Sequence, residues 1–307
     1  MEEELVRRRE RVWEVCKASG LVSEDGTSKT EPNAWEFFID ERHHLVWCNV
    51  FKAASSSWMY NFNLLGERGY KEGYLRKSRK SPLTLARARF PRPTVQQLKA
   101  ALPKSLSFLI VRDPFERLLS AYRNKIEGFR HKFYRKVARE MIAKFRLKTT
   151  PAPGAHRSSG IEKSPTFSEF VSWVISCAKK VHSRKSGTYS GIPGFDEHWA
   201  PYFRFCTPCA VNFTVIAKTE TLAEDEEYII EKTGIGPALG RTRQGREVRS
   251  RPREAVNAAV GGRTEDLLPR YYRTLRREQL DALYDIYQID FKMFGYDATK
   301  YYEMVLQ

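Results

Sequence analysis

The residues of this chain best suited to chemistry lie in two short segments and among its histidines. In Phe51-Lys52-Ala53-Ala54-Ser55-Ser56-Ser57-Trp58, a lysine precedes two small residues and three hydroxyls. Small side chains let backbone N–H groups approach a ligand and hydroxyls donate to its oxygens, so the string suits a terminal phosphate-like group. In Phe108-Leu109-Ile110-Val111-Arg112-Asp113-Pro114 and the run Phe115 to Arg123 that follows, Arg112 stands where an apolar stretch ends and Ser120 about two turns beyond it. The planar arginine fork matches phosphate oxygens. Proton transfer near neutral pH points to histidine, and the chain has six: His43, His44, His131, His156, His182 and His198.

Both segments need a strand and a helix to hold them. His44 to Val50 and Phe108 to Val111 read as buried strands. Ser55 to Leu65 has helical apolar spacing at Trp58, Phe62 and Leu65, and Pro114 opens a stretch with Phe115, Leu118, Leu119 and Tyr122 on one face. Each unit is strand, loop, helix, and a helix that starts just after a strand offers unpaired N–H groups and the positive end of its dipole to an anion. No Gly-x-x-x-x-Gly-Lys-Ser/Thr string occurs, which argues against a nucleoside-triphosphate loop of the usual kind. The plainer readings are a serine-capped helix with a solvated lysine, and an Arg112 paired with Asp113 or Glu116 while Ser120 packs.

At 307 residues with 41% apolar and 13% aromatic side chains, the chain can bury a large core and is not a disordered polymer. A formal charge of +16 makes an anion the expected partner: nucleic acid, anionic lipid, acidic polysaccharide or a phosphorylated cofactor. No apolar run is long enough to span a bilayer, and Met1 is followed by glutamates and arginines rather than a signal-peptide core. Of five cysteines, Cys206 and Cys209 form one close pair while Cys16, Cys48 and Cys177 are scattered; disulfides with one cysteine left over are favoured over a metal site. Asn212-Phe213-Thr214 is a glycosylation sequon.

Taken together, VRDPFERLLSAY and the lysine–serine loop resemble the two cofactor signatures of Golgi carbohydrate sulfotransferases, the family of chondroitin and dermatan 4-O-sulfotransferases and the HNK-1 sulfotransferase. His198-Trp199-Ala200-Pro201 leading to Cys206-Thr207-Pro208-Cys209 supports it, as does Tyr271-Tyr272 through Glu278-Gln279-Leu280 to Tyr287, Asp290, Phe291, Phe294 and Tyr296. The resemblance implies an α/β P-loop-like sulfotransferase fold, a central mostly parallel sheet flanked by helices. It also implies 3′-phosphoadenosine 5′-phosphosulfate as sulfate donor, with no metal required. Carried over, Lys52, Ala53, Ala54, Ser55, Ser56, Ser57 and Trp58 line the 5′-phosphosulfate, with Lys52 at its bridging oxygen, and Arg112 and Ser120 hold the 3′-phosphate. Arg123 closes the SAYR string and reaches the cofactor or its neighbouring loop. His198, in the family-like HWAP segment, is the expected base, with Glu197 or Asp196 as substitutes and a purely structural histidine as the plainer reading.

The implied acceptor is an anionic glycan, a glycosaminoglycan or glycoprotein glycan, by resemblance N-acetylgalactosamine in chondroitin or dermatan. The implied location is the Golgi lumen as a type II membrane protein, although this sequence shows no anchor. Two positions depart from the family pattern: Phe51 replaces the proline before the loop lysine, and Met59-Tyr60 replaces a basic pair. The alternatives are a non-catalytic basic protein binding nucleic acid or glycosaminoglycan, or a sulfotransferase fold that has lost catalysis; no nucleic-acid module is recognisable. The expected organisation is a stem-like helix and linker over 1–43, a catalytic domain over 44–297 with mobile basic loops near 66–93, 149–165 and 233–263, and a tail over 298–307. The run 123–148, with ten basic and two acidic residues, and the arginine-rich 241–253 are candidate tracks for a polyanion.

Overall fold

The computed structural model describes residues 1–66, 75, 77–128, 131–146, 164–181, 195–240 and 262–306. Four strands form one sheet in the order β1 (Phe37–Asp40), β2 (Leu45–Cys48), β3 (Leu106–Val111) and β4 (Val215–Lys218). β1 and β2 are antiparallel, whereas β2, β3 and β4 run parallel. The register sets Cys48 beside Leu109 and Val111 beside Lys218, so the carboxyl ends of the three parallel strands lie along one sheet edge. That edge is where open α/β sheets bind ligands.

The two sequence units are realised as expected. β2 leads into helix α1 (Ser55–Leu65) and β3 into helix α2 (Pro114–Ala121). Trp58 on α1 packs on Phe108 of β3, with ring centroids 4.4 Å apart, and Phe62 packs on Trp47 of β2 and Phe38 of β1. These buried rings fix the start of α1 against the strand ends. β1 was not foreseen; Phe37 and Phe38 are fully buried, and their run is short and ends at an aspartate.

Four expectations need correction. The N-terminal helix Glu2–Ala18 is not a stem. Its Arg8 is buried and donates to Asp225 Oδ2 and the Ile216 carbonyl, both at 2.9 Å, and its Cys16 is disulfide-bonded to Cys209. Within 66–93, Pro82–Arg87 is a helix capped by Ser81 rather than a loop, because Leu85, Ala86 and Phe90 are buried against the core. The tail is likewise helical over Thr299–Leu306, where Tyr301 is buried and donates to Asp113. Finally, the two helix starts are unlike. Asp113 Oδ1 accepts from the backbone N–H of Phe115 and Glu116, so the start of α2 already holds a carboxylate, while α1 has no side-chain cap.

Cysteine usage follows the expectation: Cys16–Cys209 and Cys48–Cys206 are disulfides, and Cys177 is in neither. Among the described residues, no helix is long and apolar enough to cross a membrane. The segments 241–253 and 183–194 and nearly all of 149–165 lie outside the described residues.

Candidate active site

The loop between β2 and α1 takes a contorted path. Lys52 and Ala54 both adopt left-handed backbone conformations, at φ 70° and 54°. Such residues between ordinary ones curl successive N–H groups into a concave nest that favours an anion, and the uncapped start of α1 adds its dipole. Non-glycine residues hold these angles at a cost, and Arg117 supplies the restraint.

Arg117 is the main residue that sequence reasoning missed. It is 1% exposed, and its guanidinium donates to the Phe51 carbonyl at 2.9 Å, the Ala200 carbonyl at 2.7 Å and the Glu197 carbonyl at 3.2 Å. One side chain thereby fixes the lysine loop to the HWAP segment. The disulfide Cys48–Cys206 joins the same two regions, from the last residue of β2 to the end of the short helix Tyr202–Phe205.

Arg112 sits at the end of β3 as expected. Its backbone is bracketed by the Tyr202 hydroxyl, which accepts from the Arg112 N–H at 2.9 Å and lies 3.1 Å from its carbonyl. Its side chain contacts Glu116 only at 3.4 Å, and Glu116 also meets Lys300 at 3.1 Å. Tyr202 is positioned in turn by the buried Asp290, which accepts from the N–H groups of Tyr202 and Phe203. Tyr287 donates to the Trp199 carbonyl. The family-like C-terminal residues thus hold the HWAP segment in place.

Lys52 is pushed down to about 8, first by burial and then by the positive charges of Lys125, Arg112 and Arg117. Lys125, also shifted down by burial, was not foreseen as a site residue. Neither lysine has a carboxylate within ion-pair distance among the described residues. Lys52 thus lies buried in the cradle under the field of three further cations, a setting that favours a bound anion.

His198 is buried beside this cradle. Its Nδ1 lies 2.7 Å from Asp196 Oδ1 and 3.0 Å from the Tyr134 hydroxyl, and Tyr134 donates to Asp196 Oδ2 at 3.0 Å. Burial works against an Asp196 carboxylate, but the hydrogen bonds from His198 and Tyr134 outweigh it and hold its pKa below the ordinary range. An ionised carboxylate only accepts, so Nδ1 carries the proton and Nε2 keeps its lone pair. Burial, with Lys125 and Lys52 nearby, pushes the imidazole pKa down despite Asp196. Glu197, the neighbouring candidate, is pushed up to about 7 by burial and by Glu36 and Asp196, against the pull of Arg92 and Lys125.

The structure brings Lys52, Arg112 and His198 to one region and places Ala53, Ala54, Ser55, Ser56, Ser57 and Trp58 on the loop and the first turn of α1. Trp58 is fully buried and serves packing. Ser120 is buried near the far end of α2. Arg123, just beyond, donates to the Gly262 carbonyl at 3.0 Å and Thr264 Oγ1 at 3.2 Å, so it holds the neighbouring chain segment. Among the described residues no cluster of three or more His, Cys, Asp or Glu side chains is arranged to hold a metal ion.

Comparison with known proteins places the chain in a family. Residues 35–297 match the model of the sulfotransferase family. Carbohydrate sulfotransferase 11 of Mus musculus is 26% identical over 299 residues, covering 97% of this chain and 77% of the relative. Carbohydrate sulfotransferase 12 of Xenopus laevis is 29% identical, covering 84% of this chain and 59% of the relative, and human carbohydrate sulfotransferase 9 is 26% identical, covering 96% and 60%. No solved structure matches. The chain belongs to the sulfotransferase family, with carbohydrate sulfotransferases as its relatives, and is a sulfotransferase.

Proposed function

We propose that the protein transfers a sulfuryl group from 3′-phosphoadenosine 5′-phosphosulfate to a sugar hydroxyl, the 4-O position of N-acetylgalactosamine in a chondroitin- or dermatan-type glycan. Family membership implies the donor. The observation that carries the reading is the left-handed nest at Lys52 and Ala54 ahead of an uncapped helix start, with Lys52 lowered to about 8 first by burial and then by Lys125, Arg112 and Arg117. The donor supplies an activated sulfuryl group on a phosphate leaving group.

This chain's residues do the rest. Lys52, the N–H groups at the start of α1 and the hydroxyls of Ser55, Ser56 and Ser57 hold the 5′ end. Arg112 and Ser120 hold the 3′-phosphate, and Arg123 fixes the adjoining segment. Lys52 neutralises charge on the leaving oxygen, and His198 Nε2, aligned by Asp196, takes the acceptor proton. Catalysis here is positioning and charge stabilisation. Lys52→Ala is expected to lose at least about 10²-fold in turnover, the scale of removing one oxyanion donor.

The relatives named above, all carbohydrate sulfotransferases, support a carbohydrate acceptor, and the 4-O position of N-acetylgalactosamine is what the resemblance of the sequence motifs implies. Two disulfides and an exposed Asn212 in the sequon suit an oxidising Golgi lumen. The test is thermal unfolding with 3′-phosphoadenosine 5′-phosphate against adenosine 5′-phosphate, followed by sulfate transfer to desulfated chondroitin. Selective stabilisation by the 3′-phosphorylated nucleotide, lost in Arg112→Ala, is the expected result. Equal responses to both nucleotides would remove the donor assignment.

A further inference from the structure

Beside the cradle stands a second charged group that the transfer step does not use. Glu36, 1% exposed, receives hydrogen bonds from three side chains: Arg87 Nη2 at 2.9 Å, Arg92 Nη2 at 2.7 Å and Asn49 Nδ2 at 3.1 Å. Arg87 is buried over the Phe38 ring and also donates to the Phe37 carbonyl. Arg92 differs. Its side chain is 37% exposed and lies 4.2 Å over the ring of Trp35, itself 38% exposed. Only Nη2 of Arg92 is engaged among the described residues, so N–H donors remain on Nε and, on the other side of the group, on Nη1.

The group is joined to the transfer loop. The Asn49 N–H donates to the Glu36 carbonyl at 2.9 Å, so backbone and side chain both tie Glu36 to the residue three positions before Lys52. Glu197, next to His198, feels Arg92 on one side and Lys125 on the other.

We infer that Trp35 and Arg92 form an acceptor subsite that binds a uronic acid residue of the glycan, its carboxylate accepting from the Arg92 N–H donors that Glu36 leaves open and its ring against the exposed part of the Trp35 indole. This rests on the carbohydrate-acceptor reading above and specifies the neighbouring sugar. One buried carboxylate shared by two arginines leaves positive charge at Arg92 while pinning its orientation, so little side-chain entropy is lost on binding. A planar carboxylate fits a guanidinium edge in a way a lone ammonium cannot copy. An exposed indole beside it provides the apolar face of a sugar site, where one end must be dry and the other wet.

The experiment is calorimetric titration of the whole protein with a desulfated chondroitin oligosaccharide and with the same oligosaccharide after its carboxyl groups are reduced to alcohols. Wild type should bind the carboxylated form roughly tenfold or more tightly, the scale of a charge-assisted contact. Arg92→Ala should erase that preference, Arg92→Lys should restore only part of it, and Trp35→Ala should weaken both oligosaccharides together. Nucleotide binding measured on each variant reports that the fold and cradle survive. No preference in wild type, or a preference that persists in Arg92→Ala, would overturn the subsite. The oligosaccharide titrations need no nucleotide, so a protein that failed to bind nucleotide would refute the donor site alone.

Discussion

Lys52 offers the sharpest quantitative test, because its charge is held in a place that disfavours it. Burial first, then Lys125, Arg112 and Arg117, lower it from the usual 10.5 to about 8. A bound phosphate supplies the missing counter-charge and should return the ammonium at least to its ordinary range. The bound state then holds more protons than the free state above pH 8, so affinity must fall as pH rises. With limits of 8 and 10.5, linkage gives about tenfold weaker binding at pH 9 than at pH 7, and about 300-fold at the alkaline extreme. The nucleotide phosphates titrate near 6 and contribute little over this range. Calorimetry with 3′-phosphoadenosine 5′-phosphate in two buffers of different ionisation enthalpy reads the protons directly, and about 0.75 should be taken up per nucleotide at pH 8.5. Lys52→Arg keeps the charge through the whole range and should show a shallower dependence. Flat affinity from pH 7 to 9 with no proton uptake in wild type would refute the placement of Lys52 against the phosphate. In the free protein the same displacement acts on stability: the unfolded chain holds more protons between about 8 and 10.5, so the Lys52 contribution becomes more favourable as pH rises through that window.

The remaining predictions concern the base and the scaffold. The kcat/KM profile should be bell-shaped, falling above about 8 with loss of the Lys52 proton and falling on the acid side below the ordinary histidine range, where His198 protonates. An acid limb near 7 that disappears in Glu197→Gln would transfer the base role to Glu197. Asp196→Asn should cost at least about 10²-fold in kcat with nucleotide affinity unchanged, because an amide no longer fixes the Nδ1–H tautomer; near-normal turnover would remove His198 from the chemistry. Arg117→Ala leaves two buried carbonyls and one part-buried carbonyl without their donor and should destabilise the protein by about 2 to 6 kcal/mol in urea unfolding, at about 1 to 3 kcal/mol per buried group, with a loss of nucleotide affinity as the loop relaxes.

The two strand-loop-helix units were legible because each is local: β-branched and aromatic runs, then serine or proline at a helix start. Residue type and spacing marked Lys52 and Arg112 as anion-site candidates, but only the family resemblance raised them above a solvated lysine and an arginine paired with Glu116, a pairing that Arg112 does make. What the sequence hid depends on distant pairing. Arg117 is an ordinary helix residue until Phe51, Glu197 and Ala200 surround it, and the pairing of Cys48 with Cys206 spans 158 residues. The N-terminal helix looked like a stem because its apolar stripe is thin and its arginines numerous. Its place in the fold comes from pairings distant in sequence, the buried Arg8 with Asp225, 217 positions away, and Cys16 with Cys209. The start of α2 misled for the opposite reason: Asp113 was read beside Arg112 as a possible ion-pair partner, when its carboxylate caps the helix.

Phe51 departs from the proline that the family resemblance leads one to expect, and the geometry shows why this need not disable the loop. What the site requires of position 51 is a carbonyl for Arg117 and a path that lets Lys52 take a left-handed conformation. Any residue supplies the carbonyl, and the three hydrogen bonds of Arg117, with the Cys48–Cys206 link, supply restraint that a proline ring would otherwise contribute. The phenyl ring adds a contact that proline cannot make with an aromatic face: it lies 4.6 Å from the His198 imidazole, tilted by 36°. Together with Asp196 and Tyr134 at Nδ1, that ring confines the imidazole and helps to keep it dry and neutral, which favours a proton acceptor. The substitution thus brings the lysine loop into direct contact with His198.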